Sequence, residues 1–491
     1  MLLFIILIIL LLVSLFILIA IKNNIDQKKI QSISLKTSVV CFFLSIFFWI
    51  LFDRSNIKYQ FILKKNFITD ELSQNLINHI SFGIDGISLF FIILSTFIIP
   101  LCLLTSYKTK FIKVADYCLY FLLLEIFLIL SFSAMDIISF FIFFESILIP
   151  MFFIIGIWGS RERRIRAGFL FFLYTLFGSI FLFFTLLVLY YDTGVCSFSL
   201  LSRIFIDFDK QVILWLFLYL AFAVKIPTIP LHIWLPEAHV EAPTAGSVVL
   251  AGILLKLGGY GFIRVLLPIF KEATIFYLPL IDTFCLISII YASLTTIRQI
   301  DMKRIIAYSS VAHMNLVVLG IFSGNIQGIS GSIFLMIGHG IVSSALFFSI
   351  GVLYDKYSTR IIYYYGGLVQ TMPIFSSFLL IFCLGNIGLP GTCNFIGELI
   401  VFIGLAEKNF FVLIISVTGV ILSVLYTMYF CNRVIFGNLN LNYSFVYKDT
   451  LKREFFILML CCILTILLGL FPNLIFDTIL ASVSLYTTGI L

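Results

Sequence analysis

Charge is scarce in this sequence. Only 11% of its 491 residues are charged, 62% are hydrophobic, and mean hydropathy is +1.17. A soluble globular chain carries about a quarter charged residues, so there is too little polar surface here to face water. Proline is rare too, with 11 residues against 57 phenylalanines, which leaves long apolar runs uninterrupted. The ten cysteines form no C-x-x-C pair; most lie inside apolar runs, and Cys461 and Cys462 are adjacent. That pattern argues against iron–sulfur ligation, zinc sites and a disulfide framework, and leaves the thiols as small buried hydrophobes. No G-x-x-x-x-G-K-[ST] loop occurs, nor a dinucleotide fingerprint after a strand. Nothing in the chain is therefore expected to bind NADH, flavin, haem or an iron–sulfur cluster. The net charge of +7 is spread over short loops. It reads as a topology signal in a lipid bilayer and not as a nucleic-acid surface.

What is present is a succession of apolar runs, each long enough to cross about 30 Å of hydrocarbon as a helix. Lipid offers the backbone no hydrogen-bond partners, so helices are the economical solution. The spacing predicts an all-α polytopic membrane protein with about 14 transmembrane helices: 2–21, 36–52, 84–105, 113–134, 136–157, 167–190, 212–238, 246–268, 275–297, 303–322, 330–353, 373–407, 410–432 and 454–477. The first run lacks a basic n-region and is as long as a full span, so it reads as a retained helix. A polar insert over 53–81 is expected to lie along the surface. Of 31 Lys and Arg residues, 20 fall in or beside loops after odd-numbered spans, 8 after even-numbered ones and three within spans. The positive-inside rule then puts both termini on the face opposite the matrix or cytoplasm. Richness in Phe, Ile, Tyr, Asn and Lys fits an AT-rich, organellar gene, and the lack of a transit peptide agrees with that.

Two spans break their own helical pattern. The seventh carries Pro227 and Pro230 just after Lys225; the twelfth carries Pro390 and Gly391 just before Glu398. Proline removes a donor and clashes with the preceding turn, so both helices should be interrupted there. Paired breaks in two halves of a membrane chain point to an inverted repeat with an ion path at its interface.

Ionisable residues recur near mid-span: Glu125, Glu145, Lys225, Lys256, His313, His339 and Glu398. Such residues are costly in a bilayer and usually functional. At an effective dielectric near 20, a Glu–Lys pair at about 4 Å gains roughly 4 kcal/mol, and half that at about 8 Å. Small movements or changes in hydration can therefore switch such a pair, and histidine is the natural relay between sites. For Glu125 a structural and a functional role stand level. For His232 and His239, at the end of the seventh span, access-path and structural roles both remain open. His79, in the polar insert, carries no signal, and Arg264 near its span's end reads as a snorkelling anchor.

The segments FFESILIPMFFIIGIWGSRERRIRA, AVKIPTIPLHIWLPEAHVEAPTAGSVVLAGILLKLG, RQIDMKRIIAYSSVAHMN and GLPGTCNFIGE resemble the antiporter-like membrane subunits of respiratory complex I. The resemblance covers about 82–470. It implies two inverted five-helix repeats with broken helices 7 and 12, set out as 1–112 (helices 1–3 and the insert), 113–268 (helices 4–8), 269–432 (helices 9–13) and 433–491 (a loop and helix 14). It further implies that Glu145 and Lys225 form a modulating pair. Lys256, His313 and His339 would make a central connection, and Glu398 a terminal protonatable group. Subunits 2 and 5 of that complex, and the multi-subunit cation/proton antiporters, typically place lysine at the Glu398 position. An antiporter subunit is accordingly the alternative reading, and a scaffold with vestigial polar sites a third. By the same likeness the chain would sit beside subunits 2 and 5 in the mitochondrial inner membrane. It would bind no cofactor itself, while NADH, FMN, iron–sulfur clusters and ubiquinone are used elsewhere in the complex. Cys393 and Gly259 stand where the family more often has Ser and Thr, and put only local packing in doubt.

Overall fold

The computed structural model describes residues 2–21, 27–66, 79–108, 113–439 and 448–487. Eleven of its helices are long and apolar enough to cross a membrane, and three shorter apolar helices accompany them. In chain order, α1 (Leu2–Ile21) and α2 (Gln27–Leu51) lead to a two-stranded antiparallel hairpin of β1 (Gln60–Asn66) and β2 (His79–Ile84). The hairpin occupies the two ends of the polar insert; the middle of that insert, 67–78, lies outside the described residues. There follow α3 (Gly86–Thr105), α4 (Val114–Ser133), α5 (Ile137–Ser146), α6 (Leu148–Trp158), α7 (Arg164–Thr193), a short α8 (Phe198–Leu201) and α9 (Phe208–Lys225). Next come α10 (Trp234–Glu241), α11 (Thr244–Val249), α12 (Leu255–Gly261), α13 (Leu267–Ile269), α14 (Lys271–Ile297), α15 (Met302–Ile321) and α16 (Ile326–Tyr357). A short α17 (Leu368–Thr371), α18 (Pro373–Ile387), α19 (Cys393–Lys408), α20 (Phe410–Val434), α21 (Lys452–Leu470) and α22 (Asn473–Thr487) complete the chain.

The chain divides into two compact units. One comprises Met1–Lys225, Lys256–Pro279 and Asp477–Leu491; the other comprises Ile226–Leu255 and Leu280–Phe476. In the first unit, α7 turns a stripe of Phe169, Leu173, Phe177, Ile180, Phe184 and Leu187 outward, the three-to-four spacing of a lipid-facing helix. The inward face of α2 carries Ser34, Ser38, Cys41 and Ser45, small residues that let helices approach closely in lipid. The Ser45 hydroxyl meets Thr96 of α3 at 2.8 Å. In the second unit, α16 lies at the centre, buried throughout its membrane window and packed on α15, α19 and α21.

Both expected interruptions are present. Helix α9 stops at Lys225 and the chain resumes as α10 at Trp234, with Pro227 and Pro230 between. Helix α18 ends at Ile387, three residues ahead of Pro390, because Gly388 takes a left-handed φ of +79° and closes the helix first. Three further features lie outside the sequence expectations. The fifth span is interrupted between α5 and α6, where Pro150 leaves the Ser146 carbonyl without its helical partner. The eighth span holds π-helical turns at Leu250–Leu254 and Phe262–Leu266, on either side of α12. The last expected span stops at Leu470, and α22 begins beyond Pro472 as a separate helix.

Arg264 corrects the sequence expectation directly. It is 4% exposed and does not snorkel; its guanidinium pairs with Asp85 at 2.5 Å and donates to Tyr260 at 3.2 Å and to Tyr486 of α22. Tyr260 in turn donates to the Phe132 carbonyl at 2.8 Å, and Asp85 also caps α3 through the Ser88 amide at 2.9 Å. The buried pair thus joins the start of α3, the eighth span and the last helix. Removing one partner of such a pair costs about 3–5 kcal/mol, because the other charge is left buried alone. Arg264→Met is expected to lower the unfolding temperature of the purified assembly sharply. Adding Asp85→Asn, which keeps the cap but removes the charge, is expected to recover part of the loss. Equal unfolding temperatures for the single and double variants would contradict an energetically coupled pair.

Candidate functional site

Each break exposes backbone groups that lipid cannot satisfy, and polar side chains meet them. At the first break, Asn315 of α15 donates to the Pro227 carbonyl at 3.2 Å, and Ser288 of α14 accepts the Ile229 amide at 3.0 Å. The half-helix α10 ends with orphan carbonyls and the negative end of its dipole. Lys303 donates to Ala242 O at 2.8 Å and to the Ser247 hydroxyl at 3.2 Å, while Arg360 donates to Val240 O. Sequence reasoning counted Lys303 and Arg360 as loop charges; both are buried and serve as caps. The signal available beforehand was slight, namely two cations beside otherwise apolar stretches.

The ionisable residues fall into distinct settings. Glu145 occupies the last turn of α5, at the interruption, beside Ser179 of α7. Lys225, the last residue of α9, is buried with its ammonium 4.4 Å from the centre of the Phe144 ring. Glu145 and Lys225 act on each other electrostatically but make no direct ion pair among the described residues. A cation held over an aromatic face gains about 0.5–2 kcal/mol without being neutralised. The lysine is thereby accommodated while its carboxylate stays at a distance.

Lys256 is fully buried on α12, the helical turn set between the two π-turns. Such turns interrupt regular hydrogen bonding and often mark functional sites. Glu125 is fully buried on α4, and neither of its carboxyl oxygens has a hydrogen-bond partner among the described residues. Burying a carboxyl in that position costs free energy that no hydrogen bond among the described residues offsets.

In the second unit the structure brings three predicted residues together. His313 Nδ1 of α15 lies 3.3 Å from Glu398 Oε1 of α19, and the His313 and His339 rings are 5.7 Å apart, centre to centre. The second break makes room for this group: a Cβ on Gly388 would stand 2.8 Å from Glu398 Oε2. Of the two histidines near the first break, His239 stacks flat on Phe347 at 4.7 Å, and His232 meets Tyr291 edge-on at 5.6 Å. The side chain of His79 lies outside the described residues. Among the described residues no group of three or more His, Cys, Asp or Glu is placed to hold a metal ion.

Buried ionisable side chains beside helix breaks are the arrangement that the resemblance to antiporter-like membrane subunits implies. The comparisons agree. The family described as "NADH:quinone oxidoreductase/Mrp antiporter, TM" matches residues 134–425. "NADH-ubiquinone oxidoreductase chain 4" of Marchantia polymorpha is 48% identical over 464 residues, covering 94% of this chain and 92% of the relative. The protein of the same name from Chondrus crispus is 50% identical over 463 residues, covering 94% and 93%. A chain of respiratory complex I from Thermus thermophilus superposes with a TM-score of 0.87 over 99% of both chains; at 24% identity it shows the fold. The chain belongs to the NADH-ubiquinone oxidoreductase chain 4 family.

The account of the second break can be checked against an internal control. Gly194 also has positive φ, +66°, but nothing lies within 4 Å of a Cβ placed there. Both Gly194→Ala and Gly388→Ala should show the backbone strain of about 1–2 kcal/mol. Gly388→Ala is expected to lower the unfolding temperature further, because its methyl meets the Glu398 carboxylate. Equal shifts would mean that the carboxylate does not fill the break.

Proposed function

We propose that this chain is a proton-translocating membrane-arm subunit of an NADH:ubiquinone oxidoreductase. Electron transfer from NADH to ubiquinone takes place in other subunits, which also hold the FMN and iron–sulfur clusters, and this chain couples it to proton movement. The observation that carries the reading is the close His313 Nδ1–Glu398 Oε1 contact of 3.3 Å with His339 beside it, buried at a broken helix. Histidine takes a proton at one ring nitrogen and gives one from the other, so the arrangement suits relay to and from a carboxylate.

In this reading Glu145 modulates Lys225 in the first repeat, 113–268, and Lys256, His313 and His339 connect it to Glu398 in the second, 269–432. Glu125 adds a further buried carboxyl. Pro227, Pro230, Pro390 and Gly391 supply the breaks in the seventh and twelfth spans. The chain is a multi-pass protein of the mitochondrial inner membrane with other membrane-arm subunits as partners, subunits 2 and 5 being the neighbours. Its termini lie on the intermembrane-space side, as the 20-to-8 distribution of Lys and Arg supports. The same sequence usage supports an organellar gene. A cation/proton antiporter subunit is the alternative, and Glu398 in place of lysine disfavours it.

Two substitutions test the roles. Glu145→Gln is expected to suppress inhibitor-sensitive NADH:ubiquinone turnover about tenfold or more, while NADH oxidation by an artificial acceptor persists. Normal coupled turnover in a fully assembled variant would make the residue structural. A membrane potential opposes each charge by about 2.3 kcal/mol per 100 mV, so a carrier must release its proton against that load. Guanidinium does not deprotonate at usable pH. Lys225→Arg should therefore fail almost as badly as Lys225→Ala in proton pumping; wild-type pumping with Lys225→Arg would defeat the carrier role.

A further inference from the structure

A cavity lies against the Glu398–His313 pair, between α14, α15, α19 and α20. The volume open to water centres is about 20 Å³. An ordered water needs about 10–15 Å³ and two to four polar partners, so the cavity has room for one. His313 is 5% exposed, and its Nε2 has no hydrogen-bond partner among the described residues, although its Nδ1 faces Glu398. The wall opposite is a face of α20 formed by Ser416, Gly419, Ser423 and Tyr426, spaced three to four residues apart. The other side of α20 exposes Ile414, Ile421, Leu425 and Met428, so the polar face is turned inward. Ser416 and Ser423 donate their hydroxyl hydrogens to Leu413 O at 2.8 Å and Val420 O at 2.7 Å. Their oxygens keep lone pairs that can accept from a water. A Cβ on Gly419 would collide with Ile289 of α14, so glycine is the residue that lets the cavity wall close in without filling the space.

We infer that this cavity is a one-water chamber through which the Glu398–His313 pair exchanges its proton, with Gly419 preserving the space and Ser423 positioning the water. The inference rests on the proton-translocating reading above. A proton carried by the chamber water forms a bond to His313 Nε2 as the Nδ1–H bond breaks and its proton passes to Glu398 Oε1. The water is left neutral, the ring returns to its neutral form, and the carboxylate is neutralised. Return of the proton reverses the same bonds. Gly419, Ser416 and Ser423 carry no charge and act as positioning residues.

The test uses the assembled enzyme in sealed membrane vesicles. Gly419→Leu fills the chamber, and it is expected to lower proton pumping and inhibitor-sensitive turnover about tenfold, and to change the solvent deuterium isotope effect. Artificial-acceptor activity reports assembly. Ile289→Ala added to Gly419→Leu returns space and is expected to recover pumping, which a general packing defect would not produce selectively. Ser423→Val replaces the hydroxyl with a methyl and adds a second one, and serves as the deciding variant if Gly419→Leu does not assemble; it too is expected to slow pumping and alter the isotope effect. Wild-type pumping and isotope effect in an assembled Gly419→Leu or Ser423→Val enzyme would overturn the chamber. Glu398→Gln measured alongside separates the levels: if it abolishes pumping while the chamber variants do not, only the chamber fails. If Glu398→Gln also pumps normally, the underlying reading fails.

Discussion

A peptide group in hydrocarbon has no water to turn to, and this constraint governs where the chain can be irregular. The two proline breaks of the seventh and twelfth spans are each paired with a polar side chain or a glycine that makes them tolerable. Asn315 and Ser288 serve the first break, Lys303 and Arg360 cap the half-helix after it, and Gly388 ends α18 in a conformation that alanine would resist. The breaks are consequently well-defined places where helix ends and polar groups come close to the ionisable side chains. Once such places exist, charges can be held there at a cost the fold can bear.

The charges are housed in contrasting ways, and the contrast bears on what each can do. Lys225 rests over an aromatic ring with its carboxylate at a distance, an arrangement that leaves it sensitive to small changes around Glu145. Glu398 and His313 are in direct contact, which suits proton exchange more than charge sensing. Arg264 and Asp85 are locked together with tyrosines around them, and that pair is the structural member of the set. Burial alone does not distinguish a working charge from an anchoring one.

Much of this was legible in the sequence because the signals were local. Apolar length gave the membrane class, and Pro227, Pro230 and Pro390 announced two breaks within a few residues of where they fall. Charges isolated within apolar runs announced themselves by type. What stayed hidden depends on partners far away in sequence. The Arg264–Asp85 pair joins residues 179 positions apart (264 minus 85), so an arginine near a span's end looked like a snorkelling anchor. Lys303 and Arg360 looked like loop charges because the carbonyls they cap belong to α10. The π-turns around Lys256 leave no compositional mark, and the separate α22 is announced only by Pro472. Pro150 did signal the interruption beside Glu145, but a single proline in a membrane helix is ordinarily a mild kink.

The central claim is that the buried carboxyls of this chain change protonation as the enzyme turns over. Infrared difference spectra of the assembled enzyme, recorded between resting and turnover states, address it most directly. Carboxyl bands that vanish when Glu145 or Glu398 is replaced by glutamine should change in amplitude on reduction of ubiquinone by NADH, and should not change when NADH is oxidised by an artificial acceptor. Carboxyl bands assigned to these residues that stay constant through coupled turnover would contradict the account.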